Sequence, residues 1–116
     1  MTADPRVGIA CGGIWVVDLV KVIDLYPQEN STVCISETSR GGGGCAHNVV
    51  INLARFDASL PLYALGVLGN DPYGDYLVEE CRRFPNVNVE QLRRTDLDTT
   101  SYTDVFSVKA SVRPIG

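Results

Sequence analysis

Three features of this sequence combine polar chemistry with an ordered spacing: an aspartate, a run of glycines and an asparagine. Asp18 follows an apolar stretch that Gly12 and Gly13 interrupt, and the four consecutive glycines at 41–44 open directly into an apolar segment that contains Asn48. Glycine loses more conformational freedom on folding than other residues, so such a run before a helix indicates a sharp turn or a close approach by another group. A carboxylate, bare backbone N–H groups and an amide are together suited to binding hydroxyl groups.

The glycine run does not match the well-known phosphate loops. A helix that begins after glycines offers free N–H groups to an anion, but this run lacks the Gly-Lys-Ser/Thr of a Walker loop. The dinucleotide fingerprint fails as well, because no acidic residue ends the next strand at the required distance. Taken alone, the run favours a plain flexible turn.

Composition and cysteine usage exclude several classes of protein. The chain has 116 residues, 45% of them hydrophobic, and a net charge of −4, which is typical of one small globular domain. Without a basic stripe, a long apolar run or a signal peptide, neither nucleic acid nor a membrane is an expected partner. Cys11, Cys34, Cys45 and Cys81 form no Cys-x-x-Cys pair, and the single histidine, His47, completes no zinc site. We therefore expect a cytoplasmic protein with reduced thiols and no metal.

The elements that must position these residues alternate between strands and helices. Strands are predicted at 7–17 (bent at the glycines), 18–27, 31–38, 60–69, 86–92 and 99–108. One helix follows the glycines, with Val49, Leu53 and Phe56 as its apolar stripe and Val50 and Ala54 beside them. A second begins at the N-cap Asp71 with Pro72 next, and its apolar face is Tyr73, Leu77, Cys81 and Phe84. This order predicts an α/β domain with a parallel sheet.

The order of these motifs resembles the N-terminal half of the ribokinase-like, or PfkB, family of carbohydrate kinases. The resemblance covers roughly residues 7–109. Its glycine pair and asparagine are Gly43, Gly44 and Asn48; its Gly-x-x-Gly-x-Asp-x-x-Gly segment is Gly66, Gly69, Asp71 and Gly74; and its first-strand pattern is Gly13 and Asp18.

The resemblance implies a fold, a reaction and a set of site residues. The fold would be a partial Rossmann-like, ribokinase-type α/β core with a small inserted β-lid from about 15–38 and 99–109. The reaction would be ATP-dependent phosphorylation of a sugar hydroxyl, with ATP and Mg²⁺ as cofactors. Asp18 would accept hydrogen bonds from the sugar, and Gly44 would donate its N–H to it. Asn48 would both accept and donate hydrogen bonds, and Gly43 would act as a hinge.

Two departures from the family pattern leave the acceptor sugar open. Cys45 stands where ribokinases carry Lys, and Val16 stands where they carry Asn. Both changes remove polar contacts to ribose. Trp15 is expected in the core, and His47 is expected to face solvent or to cap the turn.

The resemblance also implies what this chain does not contain. The family's catalytic Asp, in a Gly-Ala-Gly-Asp motif, and its ATP site are expected beyond Gly116, and 112–116 depart from the family pattern. Residues 1–116 would be the N-terminal portion of the kinase domain, with no catalytic, cofactor-binding or metal residues, and inactive alone. The alternatives are a nucleoside kinase of the same family and a non-catalytic sugar-binding or dimerising α/β module. Lids of this family also suggest a homodimer through the β-lid.

Overall fold

Seven strands and two helices make up the part of the chain that the computed structural model describes, residues 7–109. The sequence features at 1–6 and 112–116 lie outside this range. The strands are β1 (Ile9–Gly12), β2 (Val16–Ile23), β3 (Ile35–Gly43), β4 (Leu62–Gly69), β5 (Val87–Asn88), β6 (Leu92–Thr95) and β7 (Tyr102–Val108). The helices are α1 (Cys45–Phe56), between β3 and β4, and α2 (Pro72–Arg82), between β4 and β5.

A parallel central sheet carries the core. β4 pairs with β1 on one side and with β5 and β6 on the other, in parallel throughout. Alternate side chains of β4, Leu62 and Ala64, are fully buried and join one cluster with Val50 of α1 and Leu77 of α2. This arrangement confirms the predicted α/β class with a parallel sheet.

A second sheet, which we call the outer sheet, consists of β3, β2 and β7 in that order. β2 runs antiparallel to β3 and parallel to β7, with Asp18 opposite Gly41 on one side and opposite Thr103 on the other. The outer sheet therefore joins two segments that are far apart in the sequence, one before the glycine run and one near residue 105.

Three strand predictions were wrong in their bounds. The predicted strand 7–17 divides into β1 and β2, which lie in different sheets because the chain changes direction between them at Gly13, with a φ of +145°. The predicted strand 31–38 is shifted to 35–43, and 86–92 divides into β5 and β6. Three of the four glycines thus lie in β3, where backbone pairing with β2 holds them without side chains.

The buried face of α1 is centred on the residues predicted beside its stripe rather than on the stripe itself. Val49 and Phe56 of the predicted stripe are 47% and 87% exposed, whereas Val50 and Ala54 are buried. The helix is apolar on more than one side, and its smaller residues face the sheet. Trp15 lies in the core as expected, but His47 does not face solvent, being only 6% exposed. Within residues 7–109, neither helix has the length and apolar character needed to cross a membrane.

The start and the buried face of α2 agree with the sequence. Asp71 is its N-cap, and Oδ1 of Asp71 accepts a hydrogen bond from the Gly74 N–H at 2.8 Å. Leu77 and Cys81 are fully buried. Burial raises the pKa of the Cys81 thiol to about 12, and the Glu80 carboxylate contributes to the rise. Cys81 is therefore a protonated core thiol at neutral pH.

Asp71 also fixes the segment that leads into β7, because its Oδ2 accepts from the Thr100 N–H at 2.7 Å. Desolvation acts to raise the pKa of Asp71, but hydrogen bonds from Thr100 and Gly74 and the charge of Arg94 outweigh it and lower the pKa below its ordinary 3.8. A carboxylate whose pKa is lower in the folded chain stabilises the fold above its unfolded pKa, and this contribution is lost as the pH falls through the folded value.

We expect Asp71→Ala to lower the free energy of unfolding by about 1–2 kcal/mol at neutral pH, since it removes a helix cap and a tie to β7. The variant should also lose less stability than the parent as the pH falls below about 4. Urea unfolding at several pH values measures both effects. The matched control is Asp24→Ala, because Asp24 is exposed, and an equal loss in the two variants would contradict the prediction.

Candidate functional site

Asp18 and Gly43 lie against each other in the outer sheet, where β2 begins and β3 ends. Oδ1 of Asp18, on β2, accepts a hydrogen bond from the Thr103 hydroxyl of β7 at 2.7 Å. A Cβ built on Gly43, at the end of β3, would lie only 2.5 Å from Oδ2 of Asp18. The partly exposed carboxylate is thus held between a hydroxyl and bare backbone, and no larger residue fits at Gly43 without moving it.

Gly44 connects this carboxylate to the start of α1. It is the N-cap residue, with φ 93° and ψ 155°, and α1 has no side-chain cap. A Cβ on Gly44 would overlap the carbonyl group of Ile14, so only glycine fits the space as well as the φ value. Because no side chain caps the helix, its first-turn N–H groups are free to donate to a ligand.

Asn48 lies one turn further along α1 and is exposed. Its Oδ1 is 3.1 Å from His47 Nδ1, and its backbone N–H donates to the Gly44 carbonyl at 3.0 Å. Asn48 lines a groove of about 310 Å³ between α1 and α2, which Asp18 does not line. The structure therefore brings Asp18, Gly43 and Gly44 together, and places Asn48 at the edge of a neighbouring groove.

Two further residues, His47 and Glu80, meet the glycine run, and nothing in their spacing pairs them. Glu80 of α2 accepts a hydrogen bond from the Gly42 N–H at 3.3 Å, and its Oε1 lies 3.7 Å from His47 Nε2. The only local signal in the sequence is the single histidine, for which solvent exposure or a cap of the turn is predicted. Glu80 has no local signal, because it is 38 positions from Gly42 in the sequence.

The site offers a carboxylate, a hydroxyl and helix N–H groups around bare backbone, and the Asn48 amide lies in the neighbouring groove. Such a set both accepts and donates hydrogen bonds, which suits a neutral polyhydroxylated molecule. Among residues 7–109, no three His, Cys, Asp or Glu side chains cluster as metal ligands.

No model of a protein family matches the chain, but solved structures do. A ribokinase from Giardia lamblia superposes with a TM-score of 0.79 at 20% identity, over 90% of this chain and 33% of that one. An Arabidopsis thaliana ribokinase complexed with ribose and ATP gives 0.76 at 21% identity, over 88% and 32% of the two chains. The nucleoside kinase of Methanocaldococcus jannaschii gives 0.70 at 20% identity, over 90% and 34%.

The chain has the ribokinase fold. It spans about a third of the length of the ribokinase-fold structures that it matches, as the 32–34% coverage of the three chains shows. The expected ribokinase-type α/β core is thereby confirmed. At identities of 20–21% the likeness to these kinases is one of fold.

Proposed function

We propose that this chain forms the substrate-facing portion of an ATP-dependent kinase that phosphorylates a hydroxyl of a sugar or a related small molecule. The observation that carries the proposal is the Asp18 carboxylate, held by Thr103 over the bare backbone of Gly43 beside the start of α1. It is supported by the ribokinase fold and by the ribose and ATP in the Arabidopsis structure. We place the protein in the cytoplasm because its four cysteines are free thiols.

In this proposal the outer sheet is the lid predicted at about 15–38 and 99–109, although its strand β3 continues to Gly43. Gly43 and Gly44 are its hinge. The outer sheet is a unit separate from the central sheet. The glycine run lies where β3 passes into α1, close to Asp18. Closure of such a lid would exclude water from the reacting phosphoryl group.

We assign the ATP and Mg²⁺ sites and the catalytic base to the remaining part of the kinase fold, so residues 1–116 alone should not transfer phosphate. One face of β4 supports this assignment, because Tyr63, Leu65 and Val67 alternate along it and are 38%, 36% and 66% exposed. Parallel sheets of α/β proteins are usually covered on both faces. Further elements of the kinase fold would cover these side chains.

The test is binding of a panel of acceptors, namely D-ribose, D-fructose and adenosine, to the 116-residue chain. We expect one of them to shift the backbone NMR signals of Asp18, Gly43 and Gly44. Val16 and Cys45 remove two polar contacts of ribokinases, so ribose should bind more weakly than the preferred acceptor. Adenosine as the preferred ligand would favour a nucleoside kinase. The nucleoside kinase of Methanocaldococcus jannaschii superposes on this chain. No shift with any acceptor would contradict the proposal.

The second candidate is a non-catalytic sugar-binding or dimerising module with the same fold. Phosphorylation assays separate the two, using a polypeptide that joins this chain to the rest of a ribokinase-type domain. Transfer of the ATP γ-phosphate to the acceptor supports the kinase. Binding of the acceptor without transfer supports the module.

We also propose that two copies associate through the outer sheet. Among residues 7–109 its outer strands β3 and β7 pair on one side only, and Val105 is 41% exposed opposite Val20. Unpaired edges and exposed apolar side chains favour association between chains. We expect light scattering to show a mass that rises with concentration, and Val105→Lys to reduce it. Thr99→Lys, an exposed position outside the sheet, is the control, and an unchanged mass for Val105→Lys would contradict this interface.

A further inference from the structure

His47 and Glu80 contact the glycine run from the face opposite to Asp18. A Cβ on Gly43 would point at the Asp18 carboxylate, whereas a Cβ on the adjacent Gly42 would overlap the His47 imidazole. Successive residues of a strand point to opposite faces. Gly42 and Gly43, which we call the glycine ribbon, therefore contact the candidate sugar-binding carboxylate on one face and a buried histidine on the other.

The histidine is held in place by groups from three directions. The Trp15 ring lies nearly perpendicular to the imidazole, with ring centroids 6.0 Å apart and planes at 85°. Its Nδ1 lies within hydrogen-bond distance of Asn48 Oδ1, at 3.1 Å. Its Nε2 is buried with no hydrogen bond and lies 3.7 Å from Oε1 of Glu80.

Glu80 connects this histidine to the backbone of β3. Oε1 of Glu80 accepts the Gly42 N–H at 3.3 Å, and Oε2 lies 3.5 Å from Nη1 of Arg83. β3 is an edge strand, so Glu80 supplies a partner for a backbone N–H at that edge. The carboxylate is largely buried, at 18% exposure, which makes its contacts stronger than those of a surface pair.

We propose that His47 and Glu80 are positioning residues for acceptor binding: Glu80 fixes the glycine ribbon at Gly42, and His47 packs under that ribbon and orients the Asn48 amide. This inference rests on the proposed function, since Gly43 belongs to the proposed acceptor site, and it extends that site to Asn48 in the neighbouring groove. It adds that the ribbon is held in one arrangement by α2. Movement of the outer sheet at these glycines must break the contact between Glu80 and Gly42.

The first experiment tests the packing without any acceptor. Gly42→Ala should lower the melting temperature markedly, because the new Cβ overlaps the imidazole, and His47→Ala in the same chain should restore part of the loss. Gly41→Ala is the matched control, since a Cβ at Gly41 meets nothing within 4 Å. If Gly42→Ala is tolerated as well as Gly41→Ala, or if His47→Ala brings no recovery, the packing is wrong and the proposal fails.

The second experiment tests positioning by a double-mutant cycle on acceptor affinity, with D-ribose and D-fructose as probes. His47→Ala should weaken affinity by about threefold to tenfold, the value of one neutral hydrogen bond, but should cost nothing further in an Asn48→Ala background. Equal losses in the two backgrounds would mean that His47 does not act through Asn48, and would overturn the assignment.

Glu80 has its own readout, the hydrogen exchange rate of the Gly42 amide. Glu80→Ala should speed this exchange, Glu80→Gln should leave it close to that of the parent because an acceptor remains, and the exposed neighbour Glu79 serves as control in Glu79→Ala. Unchanged exchange in Glu80→Ala would overturn the proposal. A chain that binds neither sugar but passes the packing and exchange tests would refute the proposed acceptors. The contact between Glu80 of α2 and Gly42 would still stand.

Discussion

Replacing Gly44 with alanine should cost about 3 kcal/mol of stability or more, which lowers the Tm by at least roughly 10 °C for a domain of this size. The backbone at Gly44 has φ 93° and ψ 155°, a region that is essentially restricted to glycine. The new Cβ would also overlap the carbonyl group of Ile14, which is backbone and cannot rotate away. Relief would require α1 to separate from the segment between β1 and β2.

Thermal melting followed by circular dichroism measures this loss, and the chain provides a close control. Gly41 lies three residues earlier in the same glycine run, has open space around its Cβ position and no positive φ. Gly41→Ala should therefore melt within a few degrees of the parent. Similar melting of the two alanine variants would mean that the glycine run is a flexible turn without a fixed conformation.

The fold class and α2 followed from the sequence because their signals are local. A cap such as Asp71 followed by proline acts within one turn, and the buried positions Leu77 and Cys81 repeat at the helical period. Alternation of strands and helices then restricts the topology to a parallel sheet. These features depend on neighbours in the sequence, so a single chain is enough to predict them.

The extent of β3 and the environment of His47 depend on distant partners and could not be predicted in the same way. Glycines have low strand propensity, and those at 41–43 are extended because β2 offers paired backbone groups. His47 is buried because Trp15, Gly42 and Glu80 surround it. The spacing of α1 residues alone does not say which of its apolar sides meets the sheet, which explains the error at Val49 and Phe56.

Of the candidate site, the sequence placed Asp18, Gly43 and Gly44 together only through a family resemblance. Their proximity in the structure comes from the register of β2 and β3, with Val16 opposite Gly43 and Asp18 opposite Gly41. A shift of that register by one residue would move the Asp18 carboxylate to the other face of the outer sheet. Thr103, which donates to Asp18, enters through β7, a pairing that spans 85 positions.

The second large effect is expected from Asp18→Asn, which should weaken acceptor affinity by about tenfold to a hundredfold, because hydrogen bonds to a charged group contribute about 1.5–3 kcal/mol. Asparagine keeps the size of the side chain and one oxygen for the Thr103 hydroxyl, so folding should be little affected. Thr103→Val should give a smaller loss, about threefold to tenfold, since it removes only the hydroxyl that orients the carboxylate.

Asp104→Asn is the matched control for this series. Asp104 lies on β7 next to Thr103 but pairs in register with Leu19, so its side chain is on the opposite face of the outer sheet, where it contacts Lys21. Titration of the preferred acceptor against all three variants, with a melting curve for each, separates loss of binding from loss of folding. If Asp18→Asn binds the acceptor as tightly as Asp104→Asn does, the carboxylate does not contact it. The sugar-binding face would then have to lie elsewhere, and the groove at Asn48, between α1 and α2, would be the next region to test.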